Sequence, residues 1–273
     1  MIGVSIGSFL NVLIDRLPQE ELITGRSHCD HCKKDLAWYD LLPILSYVYL
    51  GASCRYCGKK LSFFYPMVEV ITGAMFVGVV VFASINLRGS PSASWRILNR
   101  GGSIADSLLI IHTNFLYIVA LLGIVSAAIV IFFSDLKYQI IPDSIQVSLF
   151  AFSFLFLVTQ GVTPKIFFDQ VIAAFVIMLP ILLLFLLTKS KAMGFGDVKL
   201  AFNMGFLLGI MDGIMALYIG FVSGAAVGIL LIFIKKKGLK SKIAFGPFLI
   251  LGLLIMLFFG DPVVQIVRTM YSL

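Results

Sequence analysis

Six stretches of this sequence, 63–87, 111–134, 144–161, 166–188, 214–234 and 244–260, are nearly unbroken apolar runs. Each approaches the roughly 20 residues that one helix needs to cross a bilayer's hydrocarbon core. Two weaker runs accompany them: 1–14 is short, and 198–212 is interrupted by Gly205, Gly209 and Asp212. A chain built this way has few folds open to it. With 60% hydrophobic and 13% charged residues among 273, a soluble fold would lack the polar cover to hide its apolar surface. The same abundance of Leu, Ile, Val and Phe excludes a disordered or fibrous chain. The sequence therefore reads as an all-α polytopic membrane protein of about eight transmembrane helices, with the lipid bilayer as its main partner. The first run lacks a basic leader and an A-x-A-like cleavage site, so it reads as a retained, short helix rather than a signal peptide.

The formal charge of +7 is an orientation signal. No basic helix or basic patch interleaved with aromatic residues is present, so no nucleic-acid partner is expected. With eight crossings, the segments 15–62, 135–143, 189–199 and 235–243 fall on one side and hold 16 of the 21 Lys and Arg residues. The opposite side, 88–110, 162–165 and 261–273, holds 5. The positive-inside rule makes the richer side cytoplasmic and turns both termini away from it. The polar segment 15–62 is then a cytoplasmic insert between helices 1 and 2. The Ser/Gly/Asn-rich stretch within 88–110 is an external loop that separates an N-terminal region, 1–100, from a six-helix domain, 101–273.

The insert holds every cysteine: Cys29, Cys32, Cys54 and Cys57. Two C-x2-C pairs in tight turns can present four thiolates tetrahedrally to Zn²⁺. Gly58 suits a turn, and Lys59 and Lys60 offset thiolate charge. Disulfides or free buried thiols are the alternative, disfavoured where the cytoplasm keeps thiols reduced. His28 and His31 read as loop residues, since four sulfurs already fill the site. Such a closed site is structural rather than catalytic. Between the pairs, 41–50 is apolar but too short to span. It either lies along the membrane surface or forms the insert's own small core.

Only 14 acidic residues exist, so their positions carry information. Asp135 ends one apolar run, and Asp197 opens another within Gly194-Phe195-Gly196-Asp197. The topology puts both at the cytoplasmic boundary, one outward and one inward crossing apart, where adjacent helices can bring them together. Acids at membrane depth are functional candidates. Two close carboxyls share one proton, as aspartyl proteolysis requires: the ionised partner takes a proton from water and the other donates to the scissile carbonyl oxygen. Gly194 and Gly196 would let a substrate backbone approach. Equally, Asp135 and Asp197 could pair with Lys137 and Lys199 as interfacial ion pairs. Asp143 reads as an N-cap for the helix starting near Ser144, with a catalytic role as the alternative. Asp15, Asp212 and Asp261 read as helix-end residues, and Glu69 as a buried structural or functional acid.

Taken together, the segments Gly7–Pro18, the two cysteine pairs, Ser134–Asp143, Gly194–Lys199 and Phe245–Phe248 resemble the type IV prepilin peptidases. These are membrane aspartyl proteases that process type IV pilin and pseudopilin precursors. The resemblance covers nearly the whole chain in the family's order. It implies an Asp135/Asp197 catalytic dyad, eight helices in a bacterial cytoplasmic (inner) membrane, and leader cleavage on the cytoplasmic face. It further implies N-methylation of the new terminus with S-adenosylmethionine, an activity associated with members carrying the cysteine insert. No S-adenosylmethionine fingerprint is present, so no residue is assigned to that cofactor. One departure is that only six residues precede Gly7, fewer than in the family: either the start is misassigned or the first helix is short. Two rivals are a polytopic transporter using intramembrane acids for ion or proton coupling, and a zinc-dependent docking module without catalysis. The first would need acids near the bilayer midplane, whereas Asp135 and Asp197 map to one edge.

Overall fold

The computed structural model describes residues 1–29, 31–89, 104–189, 193–234 and 244–271. Among them all regular structure is helical, apart from two isolated bridges, His28 with Asp35 and Ser53 with Lys60. Five helices are long and apolar enough to cross a membrane: Phe64–Ile85, Asn114–Tyr138, Pro164–Leu187, Phe195–Leu231 and Gly246–Ile266. The chain divides into two units, Met1–Arg88 and Gly89–Leu273.

In the first unit, α1 (Ile2–Arg16) packs antiparallel on α3 (Phe64–Gly89), with the five-residue α2 (Leu45–Tyr49) between them in sequence. The helices meet where side chains are smallest, as close backbone approach requires. A Cβ on Gly7 would lie 2.8 Å from the Glu69 Cα, and one on Gly73 would lie 2.8 Å from a Val4 methyl. Further along, Asn11 Nδ2 donates to the Tyr65 carbonyl at 3.1 Å, and the Tyr65 hydroxyl donates to Asp15 at 2.9 Å. Asp15 is thus a helix-pairing residue. Arg16 closes the next loop by donating to the carbonyls of Leu22, Ile23 and Arg26.

The second unit holds α4 (Ile104–Tyr138), α5 (Asp143–Thr159), α6 (Pro164–Leu187), α7 (Phe195–Phe233) and α8 (Gly246–Tyr271). Helix α4 packs on α5 and α8, and α7 packs on α5, α6 and α8. Glycine decides how α7 does so. At Gly209 its backbone leaves helical geometry, with φ +82° and ψ −173°, a conformation open to glycine and costly for other residues. A Cβ on Gly213 would lie 3.7 Å from the Gly205 Cα, although eight residues of straight helix would separate them by about 12 Å. The chain therefore folds back at Gly209, and α7 is two antiparallel halves.

Small residues line both halves. Gly205 sits on Ala173, Ala174 and Ile177 of α6, while Gly220 and Gly224 sit on the Phe245–Leu249 turn that opens α8. The expected runs 198–212 and 214–234 are these two halves. Of the other short runs, α1 has 15 residues and α5 has 17, so neither is among the five long helices. Most of the external loop expected at 88–110, and the basic stretch at 235–243, lie outside the described residues.

Candidate functional site

The cysteines and the paired aspartates lie in different units. In the first unit all four cysteine sulfurs, from Cys29, Cys32, Cys54 and Cys57, lie within 4.8 Å of one another, and all four thiols are free. Cys29 Sγ and Cys57 Sγ are 3.9 Å apart. Tetrahedral zinc with Zn–S bonds of about 2.3 Å puts its sulfurs about 3.8 Å apart, so the donor set fits that ion.

The two pairs are copies of one local structure. Cys29 N donates to Lys34 O, Lys33 N to Cys29 O, and Leu36 N to Ser27 O. Twenty-five positions on, Cys54 N donates to Lys59 O, Gly58 N to Cys54 O, and Leu61 N to Ala52 O. The residue after each second cysteine takes positive φ, 55° at Lys33 and 67° at Gly58. Across 27–36 and 52–61, residue identity outside the cysteines repeats only at Lys34/Lys59 and Leu36/Leu61.

The sulfurs are electrostatically unequal. N–H groups of Cys57 and Tyr56 point at Cys54 and pull its thiol down to about 7. At Cys57 the Lys59 N–H pulls the same way, but loss of water and the three neighbouring sulfurs outweigh it and push that thiol up to about 11. Four thiolates cannot share this volume without a cation, which is the condition a bound metal satisfies. Outside the sulfur cluster, Arg55 pairs with Asp40 at 2.8 Å, with the Asp40 side chain only 2% exposed, and stacks over Tyr39.

In the second unit, Asp135 lies at the end of α4 and Asp197 in the first turn of α7. Both are buried, and their carboxyls interact electrostatically. Backbone N–H groups orient them. Gly246 N donates to Asp135 Oδ2 at 2.8 Å, and Gly194 N donates to Asp197 Oδ2 at 3.0 Å. The other Asp197 oxygen, Oδ1, is buried without a hydrogen-bond partner among the described residues. Ile141 joins the two sides: a Cβ added to Gly196 would meet its Cβ at 3.0 Å, and one added to Gly246 would meet its Cδ1 at 3.2 Å. Gly196 thus makes room for Ile141, and Gly194 gives its N–H to Asp197.

Two expectations are corrected here. Asp143 is not the cap of α5: Pro142 occupies that position, and no side chain caps the helix. Lys199 does not pair with Asp197; its Nζ binds Asp143 Oδ1 at 2.6 Å. The ion pair therefore ties the start of α5 to the first turn of α7. Among the described residues no ion pair neutralises Asp197.

A further element of this site escapes sequence reasoning. Gln146 Nε2 donates to the Gly196 carbonyl at 3.0 Å, and Gln146 Oε1 accepts from Asn203 Nδ2 at 2.7 Å. Both side chains are buried. The one available signal is an amide in each of two otherwise apolar runs, where an unpartnered amide is expensive. Gly246 stands within the Phe245–Phe248 segment, but its role as donor to Asp135 emerges only once α8 packs on α4.

A family profile described as the Bacterial Peptidase A24 N-terminal domain matches residues 1–83, and one described as the Type IV leader peptidase family matches residues 121–229. The chain is similar to several curated proteins named prepilin leader peptidase/N-methyltransferase. One from Klebsiella pneumoniae is 31% identical over 220 residues, which cover 76% of this chain and 82% of the relative. One from Legionella pneumophila is 29% identical over 296 residues, covering 97% of this chain and 91% of the relative. One from Myxococcus xanthus is 46% identical over 77 residues, which are 28% of this chain and 23% of that relative. No solved structure matches the chain. Asp135, Ile141 and Gly194–Asp197 all fall within the second profile match, and with four-fifths of the Klebsiella relative covered, the chain belongs to the type IV leader peptidase family.

Proposed function

We infer that this protein is a membrane aspartic endopeptidase that removes the leader of type IV prepilins and pseudopilins, with Asp135 and Asp197 as its catalytic pair. The observation that carries the reading is the convergence of two buried aspartates from distant segments. Each has one oxygen fixed by a backbone N–H, and among the described residues neither is paired with a lysine.

Chemically, one carboxyl is ionised and one protonated. The ionised partner takes a proton from water, whose oxygen then bonds to the scissile carbonyl carbon; the protonated partner gives its proton to the carbonyl oxygen. Collapse of the resulting diol expels the new amine, which leaves with the proton taken from water.

The charge distribution supports placing the aspartates and the cysteine insert on the cytoplasmic side of a bacterial inner membrane. Eight crossings follow if α1 and α5 cross as short helices and the halves of α7 cross separately. In this reading region 1–100 carries the zinc-binding insert and 101–273 carries out proteolysis. Cys29, Cys32, Cys54 and Cys57 hold a zinc ion whose contribution is structural, since four sulfurs leave no open coordination position. The relatives' names also support methylation of the new N-terminus from S-adenosylmethionine, with no residue assigned to that step. The test is cleavage of a purified prepilin by Asp135→Asn and Asp197→Asn proteins. Each is expected to lose cleavage while remaining in the membrane, and near-normal cleavage by either overturns the dyad.

A further inference from the structure

Beside the cysteine cluster, the segment Trp38–Tyr49 shows solvent an unusually apolar face. Trp38 is 76% exposed, Leu45 60%, Val48 70% and Tyr49 84%, with Leu41 also exposed. These residues do not form the insert's own core. Nothing in the described structure of the first unit covers them, whereas an insert surrounded by water would hide them.

Three observations bear on what covers them. The first is depth. Ile44 N donates to Glu69 Oε2 at 2.8 Å. Glu69 is buried in α3 and lies five residues past Phe64, the first residue of a helix long and apolar enough to span. Five residues of helix rise about 7.5 Å, so the start of α2 is fixed alongside the first turns of that span, not out in water. The second is charge. No residue from 41 to 50 is ionisable except the two tyrosines, and Asp40 is neutralised by Arg55 at 2.8 Å. The third is residue type. Trp38 and Tyr39 precede the apolar run and Tyr47 and Tyr49 close it, the amphipathic aromatics that settle at headgroup level. Exposed Lys59 and Lys60 lie nearby in sequence, suited to anionic headgroups.

We propose that Trp38–Tyr49 is a membrane-interfacial segment, with Leu45, Val48 and Tyr49 inserted at the boundary between headgroups and acyl chains beside α3. The segment anchors the cysteine module to the bilayer surface at a fixed height. This inference stands independently of the aspartate dyad, because it rests on the first unit alone.

The chain has two tryptophans, so the Trp95→Phe full-length protein reports on Trp38 alone. Reconstituted in nanodiscs whose acyl chains are brominated near the headgroup, Trp38 fluorescence is expected to fall about twofold relative to unbrominated lipid, and water-soluble acrylamide to quench it weakly. A second reporter, Val48→Trp in a Trp38→Phe, Trp95→Phe background, is expected to be quenched by bromolipid at least as strongly. Adding Leu45→Asp and Tyr49→Asp to the Trp95→Phe protein should restore acrylamide access to Trp38. If bromolipid leaves both reporters unchanged while acrylamide quenches them freely, the segment is in water and the proposal fails. It fails equally if both reporters are shielded from bromolipid and acrylamide alike, since protein then covers the face.

Discussion

The cysteine cluster and the aspartate site are assembled by opposite means. The sulfurs come from two short loops in which backbone hydrogen bonds within each loop do the shaping, and the same loop is used twice. The carboxyls come from the end of α4 and the start of α7, and they are aimed by glycines and an isoleucine from α8, the α7 turn and the α4–α5 connection. A local site of the first kind announces itself through spacing, because the spacing is the structure. A site assembled by helix packing shows its residues in the sequence but not its geometry. The two also differ in what they leave open: the sulfurs close on one another, whereas Asp197 keeps a buried oxygen without a partner among the described residues.

The contrast can be broken most sharply at the carboxyls. Asp135→Asn or Asp197→Asn should cut leader cleavage by at least about a hundredfold, with the metal content of the cysteine cluster unchanged. Parallel loss of metal would mean that the sites are not separable. Next in size is the cluster itself. Cys54→Ser should lower bound zinc from about one equivalent per chain to less than about half. Trypsin should then cut at Lys33, Lys34, Lys59 or Lys60, which the intact loops protect. Unchanged zinc and unchanged trypsin resistance would remove the metal from the account.

Glycine substitutions compare the two regions directly. A Cβ at Gly246 would fall 2.7 Å from Asp135 Oδ2, so Gly246→Ala should reduce kcat about tenfold to a hundredfold through misplacement of that carboxyl. Smaller is the effect of Gln146→Leu, which leaves the Gly196 carbonyl without its partner and the Asn203 amide with only the backbone carbonyl of residue 146. It should destabilise by about 1–3 kcal/mol and lower kcat severalfold with little change in KM. The double variant with Asn203→Leu should recover part of the stability, as removal of both partners usually does. If KM rises instead while kcat holds, Gln146 shapes the substrate site rather than positioning Asp197. The smallest change belongs to the cluster, where Gly58→Ala meets nothing within 4 Å and strains only φ. Its cost should be about 1 kcal/mol, read as a small shift in thermal unfolding.

Much of this arrangement is legible in the sequence. Apolar runs locate the helices, to within a few residues except at the start of α4 and the end of α8, because lipid imposes a length and a composition on every crossing. The cysteine spacing locates the sulfur cluster, since each pair shapes its own loop. Harder to read is α7. Gly205, Gly209 and Asp212 look like interruptions that weaken a run, yet the glycines are what allow the element to reverse and to sit against both α6 and α8. Lys199 misleads for a similar reason. Its nearest acid in sequence is Asp197, two residues away, but residues at that spacing point to different faces of a helix. Asp143, on another helix, is the acid that Lys199 reaches. The partners of Gln146, Asn203 and Gly246 depend on register between helices, which no single run encodes.

The reversal at Gly209 carries one further consequence, for how this chain can vary. Asp197 stands twelve residues before the reversal, and each residue of helix advances its side chain by about 100°. An insertion or deletion of one residue between 197 and 209 would therefore swing the carboxyl well away from Asp135 if the glycine contacts of the second half stayed fixed. The first half of α7 works as a ruler with its zero at Gly209. Members of the family aligned on that glycine should keep the interval constant.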